Sequence, residues 1–257
     1  MAENPPDITG QQLADCVERF RAARPHVHCI TNSVAQHFTA NVLLAAGATP
    51  SMTIAAEEIT DFVNMADALL INLGTMDGER IRAVDLAVAA AGQGGKPWAL
   101  DPVFVQASPI RLALAQKLLV STPTLVRCNK GEYDALFAAA AATAATAAAK
   151  PAPGTTIALT GKVDEVFNSS GSVTISNGSP LMDRITTMGC ALNALAIGFL
   201  AVEDDHLLAT TAALAFFALA GEKAESLAAG PGTFVPHFLD ALANIDEDDI
   251  VAGAKLS

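Results

Sequence analysis

Basic residues are scarce in this chain: Lys and Arg number 15 against 27 Asp and Glu, a formal net charge of -12 over 257 residues. Nucleic acid and anionic membrane surfaces reward clustered Lys and Arg, so neither is expected as a partner. Anionic small molecules stay open, because backbone amides, Mg²⁺ or one well-placed arginine can hold them on an acidic protein. Cysteine is sparse and dispersed. Cys16, Cys29, Cys128 and Cys190 form no CxxC pair, which argues against a zinc knot or a disulfide framework. Long apolar runs are missing as well: the longest, 207–221, contains Thr210 and Thr211 and is shorter than the roughly 20 residues that span a bilayer. It reads as a buried helix. The first twelve residues are polar, with Pro5 and Pro6, and lack the basic and apolar regions of a secretory signal, so the expected location is cytoplasmic. Two nucleotide signatures are absent. No GxGxxG follows the first strand, and Gly161-Lys162 has neither the upstream glycine nor the downstream Ser/Thr of a Walker A loop, which argues against a dinucleotide oxidoreductase and a P-loop kinase.

What is present is apolar material: 51% of residues are hydrophobic, enough for one large core, and residues 1–257 read as a single α/β domain. Short apolar runs at 27–30, 50–52, 68–72, 98–100, 125–127 and 156–160 have the length and composition of strands. Between them, helical spacing is found at 7–23, 34–46, 57–66, 78–92, 110–119 and 131–150, the last including an Ala/Thr-rich patch. Such alternation predicts a mostly parallel central sheet with helices on both faces, a three-layer fold. A hairpin at 165–175 and helices at 187–202, 205–227 and 236–244 follow.

In open parallel sheets the ligand sits beyond the carboxyl ends of the strands. The residues there include Asn32, Asp101, Arg127, Asn129, Glu132 and Thr160. Asp101 and Glu132 are the candidate Mg²⁺ acids, and Arg127 the candidate phosphate partner. Plain alternatives exist for some of them: Asn32 as a helix cap, Arg127 as a surface partner of Glu132 or Asp134. The richest segment is Thr186-Thr187-Met188-Gly189-Cys190, a glycine turn running into an apolar helix. The free amides and the dipole of a helix start favour an anion, and the same field favours thiolate at Cys190. The alternative is that Cys190 is a small packed residue.

Taken in order, several segments resemble the hydroxyethylthiazole kinase family of the ribokinase-like superfamily. They are Val27-His28-Cys29-Ile30-Thr31-Asn32, Met52 followed by Glu57-Glu58, Leu70-Ile71-Asn72-Leu73-Gly74-Thr75, Leu100-Asp101-Pro102-Val103, Arg127-Cys128-Asn129 with Glu132, Ala158-Leu159-Thr160-Gly161, Gly189-Cys190 and Gly230-Pro231-Gly232-Thr233-Phe234. The resemblance implies a ribokinase-like fold and transfer of the ATP γ-phosphoryl group to the primary alcohol of 4-methyl-5-(2-hydroxyethyl)thiazole, with Mg²⁺. It implies that Cys190 stands where most of the superfamily has an aspartate base. It further implies that Arg127, Thr160, Asn129 and Gly189 serve the nucleotide, that Met52, Asn32 and Thr187 serve the substrate, and that Asp101 and Glu132 serve the metal. A homotrimer with active sites between subunits is implied too.

The chain departs from the family pattern at the rim. Thr187 replaces a glycine before Gly189, Phe104 and Gln106 replace glycines after Asp101-Pro102-Val103, and Cys128 separates Arg127 from Asn129. A β-branched residue resists positive φ, so the turn at Thr187 is expected to differ. These departures keep two other readings open: a kinase for another small heterocyclic alcohol, and a non-catalytic nucleotide- or metabolite-binding relative.

Overall fold

The computed structural model describes residues 8–138 and 152–257. One sheet of eight strands runs in the order β2-β1-β3-β4-β5-β6-β7-β8. Its first six strands, β1 (His26–Ile30), β2 (Thr49–Ser51), β3 (Ala68–Asn72), β4 (Trp98–Asp101), β5 (Leu125–Asn129) and β6 (Thr156–Thr160), are all parallel. The hairpin β7 (Asp164–Asn168) and β8 (Gly171–Ile175) extends the sheet antiparallel from β6.

Strand residues alternate between two cores, as a pleat with both faces covered requires. Cys29, Leu70, Ala99, Leu125 and Ala158 face one core with α1 (Gly10–Ala23), α2 (Gln36–Ala46), α7 (Met188–Phe199), α8 (His206–Leu227), α9 (Pro231–Asn244) and α10 (Glu247–Gly253). Ile30, Ile71, Leu100, Val126 and Ile157 face the other, with α3 (Ile59–Met65), α4 (Gly78–Gly94) and α5 (Pro109–Leu119). The expected three layers are therefore present. By length and composition α8 could cross a membrane, yet its most apolar stretch is 83% buried inside the protein.

Three helical expectations need correction. After β5 the chain makes one turn, α6 (Lys130–Tyr133), then a wider π-helical turn, Asp134–Ala138; residues 139–150 of the expected helix lie outside the described residues. The helix expected from Pro236 begins at Pro231, whose missing N–H costs nothing at the first helical position. Pro236 stays inside it, because Phe234, Phe238 and Leu242 recur every four residues and are buried together. The short α10 was not anticipated, although the Asp246–Asp249 capping box that starts it is a readable signal.

Candidate active site

The strand order reverses between β1 and β3, and at such a switch point an open sheet leaves a crevice at its carboxyl edge. Asn32, just past β1, bridges it by donating Nδ2–H to Asn72 Oδ1, at 3.1 Å. Parallel register sets Asn72 level with Asp101, and Asn72 Nδ2 donates to Asp101 Oδ2 at 2.7 Å. The same nitrogen donates to Cys190 Sγ at 3.2 Å, and Asn32 Nδ2 donates to that sulfur at 3.4 Å. With Gly74 N–H on Asn72 Oδ1 at 3.0 Å, both donors and both acceptor positions of the Asn72 amide are used. Asn32 is not the helix cap: α2 starts from Ala35 with no side-chain cap bond, and Asn32 Oδ1 accepts the Ala35 N–H at 3.0 Å in the turn before it.

Cys190 reaches this cluster from the first turn of α7. Thr187, the residue before the helix, lies at φ 71 and ψ 4, in the left-handed region. The glycine-type turn is thus kept with a β-branched residue in it, against the expectation that the turn would change; packing of the apolar α7 outweighs a local strain of about 1–2 kcal/mol. Among the described residues, the amides of Met188, Gly189 and Cys190 have no hydrogen-bond acceptor. Gly189 lets Arg127 come close: a Cβ there would lie 2.6 Å from Cζ of Arg127, so the guanidinium rests on the glycine and a side chain there would displace it. Arg127 Nε is buried without a partner, and no ion pair involves Arg127 among the described residues. Its pairing with Glu132 or Asp134 is therefore not observed; Asp134 pairs with Lys130 instead. A guanidinium set against a helix N-terminus places positive charge on positive charge, and an anion between them relieves both.

Arg127, Asn129, Thr160 and Gly189 line one cavity of about 790 Å³. Its far wall comes from Ser176, Asn177, Gly178 and Ser179, which sequence reading missed because they carry no nucleotide motif.

Glu132 is buried and is held by backbone on two sides. Its Oε2 accepts Asn129 N–H at 2.9 Å, while Asn129 Oδ1 accepts Glu132 N–H at 3.0 Å, a capping box at the end of β5. Its Oε1 accepts Phe104 N–H at 3.0 Å, which pins the loop after Asp101 with Phe104 at φ 56 and its ring 61% exposed.

Burial pushes the Asp101 carboxyl up to about 6, opposed by Arg127 and assisted by Glu132. Burial and the Asp101 charge push the Cys190 thiol up to about 12, although Asn72, Arg127 and Asn32 oppose the shift. The helix field alone favours thiolate; desolvation and the neighbouring carboxylate are larger, so the thiol is protonated at neutral pH. Among the described residues no group of three or more His, Cys, Asp or Glu is gathered as a metal cage. Two hard carboxylates, Asp101 and Glu132, suit Mg²⁺, which usually takes most of its ligands from water and phosphate.

Met52 stands apart from these contacts. It is half-buried against the main core just past edge strand β2. That edge is anchored by Ser51 Oγ, which meets His26 Nε2 and His28 Nδ1, both at 2.7 Å, while His28 Nε2 meets the Thr53 carbonyl at 3.1 Å.

The hydroxyethylthiazole kinase family model matches residues 17–248. The chain belongs to the hydroxyethylthiazole kinase family. The hydroxyethylthiazole kinase of Pectobacterium atrosepticum is 41% identical, over 97% of this chain and 100% of its own. The solved hydroxyethylthiazole kinase of Pyrococcus horikoshii OT3 superposes with a TM-score of 0.88 and 37% identity, covering 95% of this chain and 98% of that one. A ribokinase-like superfamily protein from Enterococcus faecalis V583 shares the fold alone, with a TM-score of 0.61, 14% identity and coverage of 96% and 93%. In this kinase family the two sides of the α7 start acquire distinct meaning: Gly189 faces the cavity, and Cys190 faces the asparagine cluster.

Proposed function

We propose that the protein transfers the γ-phosphoryl group of ATP to the primary alcohol of 4-methyl-5-(2-hydroxyethyl)thiazole, as a single-domain subunit of a cytoplasmic homotrimer. The observation that carries the reading is the first turn of α7, where consecutive residues touch Arg127 on one side and Asn32, Asn72 and Asp101 on the other. A donor and an acceptor brought to one helix start would meet at its free amides.

Phosphoryl transfer through a loose transition state depends on position and charge neutralisation more than on a strong base. Arg127 and the amides of Gly189 and Cys190 would set fixed positive charge against the negative charge on the oxygens of the transferred group. Cys190 Sγ, held by two amide donors, orients the acceptor hydroxyl; the Cys190–Asp101 pair takes its proton late. Asp101 and Glu132 would hold Mg²⁺, which supplies charge neutralisation of the phosphates when bound. Asn32 and Met52 would contact the thiazole.

A second reading is a ribokinase-like kinase for another small heterocyclic alcohol, favoured by the exposed Phe104 ring at the rim. One assay decides. Purified protein is given Mg-ATP with the thiazole alcohol, with a panel of other alcohols, and with no acceptor, and ADP release is followed. Fastest release with the thiazole alcohol supports the first reading, and a faster panel member supports the second. No acceptor-dependent release points to a relative that binds nucleotide without turnover.

A further inference from the structure

The far wall of the cavity is the link between β8 and α7, and it is tied down from an unexpected place. Asn177 is buried with its amide fully engaged: Oδ1 accepts the Lys255 N–H at 2.8 Å, and Nδ2 donates to the Gly253 carbonyl at 2.9 Å and to Glu222 Oε1 at 3.2 Å. That one oxygen of Glu222, on α8, also accepts Gly178 N–H at 3.0 Å and Lys255 Nζ–H at 2.9 Å. Backbone pairing completes the tie. Ser176 N–H donates to the Lys255 carbonyl at 3.0 Å, Ile175 bridges Leu256 antiparallel, and Thr174 and Ser257 exchange N–H···O bonds of 2.7 and 3.1 Å. Residues 255–257 thus lie along the outer edge of β8, covering a strand edge that would otherwise be open.

Ile175 lies in the main core and Leu256 packs against it, whereas the Asn177, Glu222 and Lys255 side-chain contacts are polar ties outside that apolar cluster. Asn177 and Gly178 line the cavity, and Gly178 sits at φ 140, which strains any side-chain-bearing residue. A wall of this kind, if free, would have to be ordered when a ligand enters, and affinity would fall accordingly.

We propose that residues 253–257, acting through Asn177 and Glu222, form a clamp that positions the 176–179 wall for the nucleotide, so that donor affinity depends on a segment far in sequence from every phosphate-binding residue. The proposal rests on the reading of this cavity as the ATP site. Asn177 and Glu222 are positioning residues in it, and acceptor recognition at Asn32 and Cys190 is independent of them.

The test measures Kd for Mg²⁺ with a non-hydrolysable ATP analogue by calorimetry, and KM for ATP and for the thiazole alcohol in turnover. Asn177→Ala and Glu222→Ala each remove three hydrogen bonds of the tie and should each raise the ATP-analogue Kd roughly tenfold. KM for the alcohol should stay within about twofold. Glu222→Gln keeps the acceptor oxygen and should lose roughly threefold at most. Should the alanine variants fail to fold, Lys255→Met carries the test: it removes only the Nζ contact, leaves the backbone pairing, and must raise the analogue Kd about two- to threefold. A folded set of variants with parental Kd, or one in which donor and acceptor constants worsen equally, overturns the clamp while the ATP-site reading stands. A parent protein that binds no ATP analogue overturns both.

Discussion

Asn72 holds Asp101 and Cys190 with a single nitrogen: its Nδ2 lies 2.7 Å from Asp101 Oδ2 and 3.2 Å from Cys190 Sγ. An amide donor shared between a buried carboxylate and a thiol fixes the spacing of the two groups that face the acceptor. Asn72→Leu keeps the volume and removes all four of its hydrogen bonds, those to Asp101 and Cys190 among them. Thermal unfolding should show a loss of about 1–3 kcal/mol, and kcat should fall about 10–100-fold, with KM for ATP little changed. A variant with parental kcat would relegate Asn72 to packing.

Cys190 follows from its neighbours. With the thiol pushed up to about 12, thiolate is not the resting form, and alkylation by iodoacetamide between pH 7 and 8 should be slow. Cys190→Ala should keep measurable turnover, losing less than the roughly 10²–10⁴-fold typical of a removed base. Rapid labelling together with a larger loss would restore the thiol as the principal base.

Asp101 carries a pH dependence whose sign is fixed. Its folded pKa, about 6, exceeds the ordinary 3.8, so the stability tied to its proton is present below about pH 4 and is lost as pH rises through 6. Above that range a buried carboxylate is maintained for function. Without Mg²⁺, Asp101→Asn should therefore be more stable than the parent at pH 8 by up to about 3 kcal/mol and equal to it near pH 4, while losing activity. Urea denaturation at the two pH values, in chelator, measures the difference.

Gly189→Ala should separate the two sides of α7. The new Cβ, 2.6 Å from Arg127 Cζ, must displace the guanidinium. Calorimetry should show ATP affinity reduced about 10–100-fold, while the alcohol KM and the fold persist. An unchanged ATP affinity would remove Arg127 from the phosphate site.

Thr187→Gly puts a glycine at a position already left-handed. Strain relief of about 1–2 kcal/mol, less the entropy of the added glycine, should leave the variant about 0.5–1 kcal/mol more stable in thermal melts.

Much of this was legible in the residues. The six parallel strands were visible as apolar runs, and Arg127, Asn129, Thr160 and Gly189 fell into one cavity because strand ends and a helix start share one edge of such a sheet. Asn72 was not legible as an organiser, since its meaning comes from the register that sets it beside Asp101, and parallel register leaves no local trace. The thiol of Cys190 was misread for a related reason: the helix start is local and visible, whereas burial and the Asp101 charge arrive from elsewhere in the chain. Thr187 shows tertiary packing overriding a local preference, and the 176–179 wall depends on residues 253–257, whose pairing no short segment announces.

The serine at the sheet edge has a direction built into it. The Thr53 carbonyl can only accept, so His28 carries its proton on Nε2, and its Nδ1 must take the Ser51 hydroxyl hydrogen. Ser51 is then left to accept from His26 Nε2–H. The three side chains form a one-way relay with a single allowed arrangement of hydrogens. Burial holds His28 down to about 4, below its ordinary 6.5, so the contribution of the neutral ring to stability is full above pH 6.5 and is lost as pH falls through 4, where acid charges the ring and dismantles the relay. Once His28 gains a second N–H, Ser51 Oγ accepts from both rings, and its own hydrogen loses the acceptor that gave the relay its direction. Acid therefore weakens the side-chain tie between β1 and the edge strand β2.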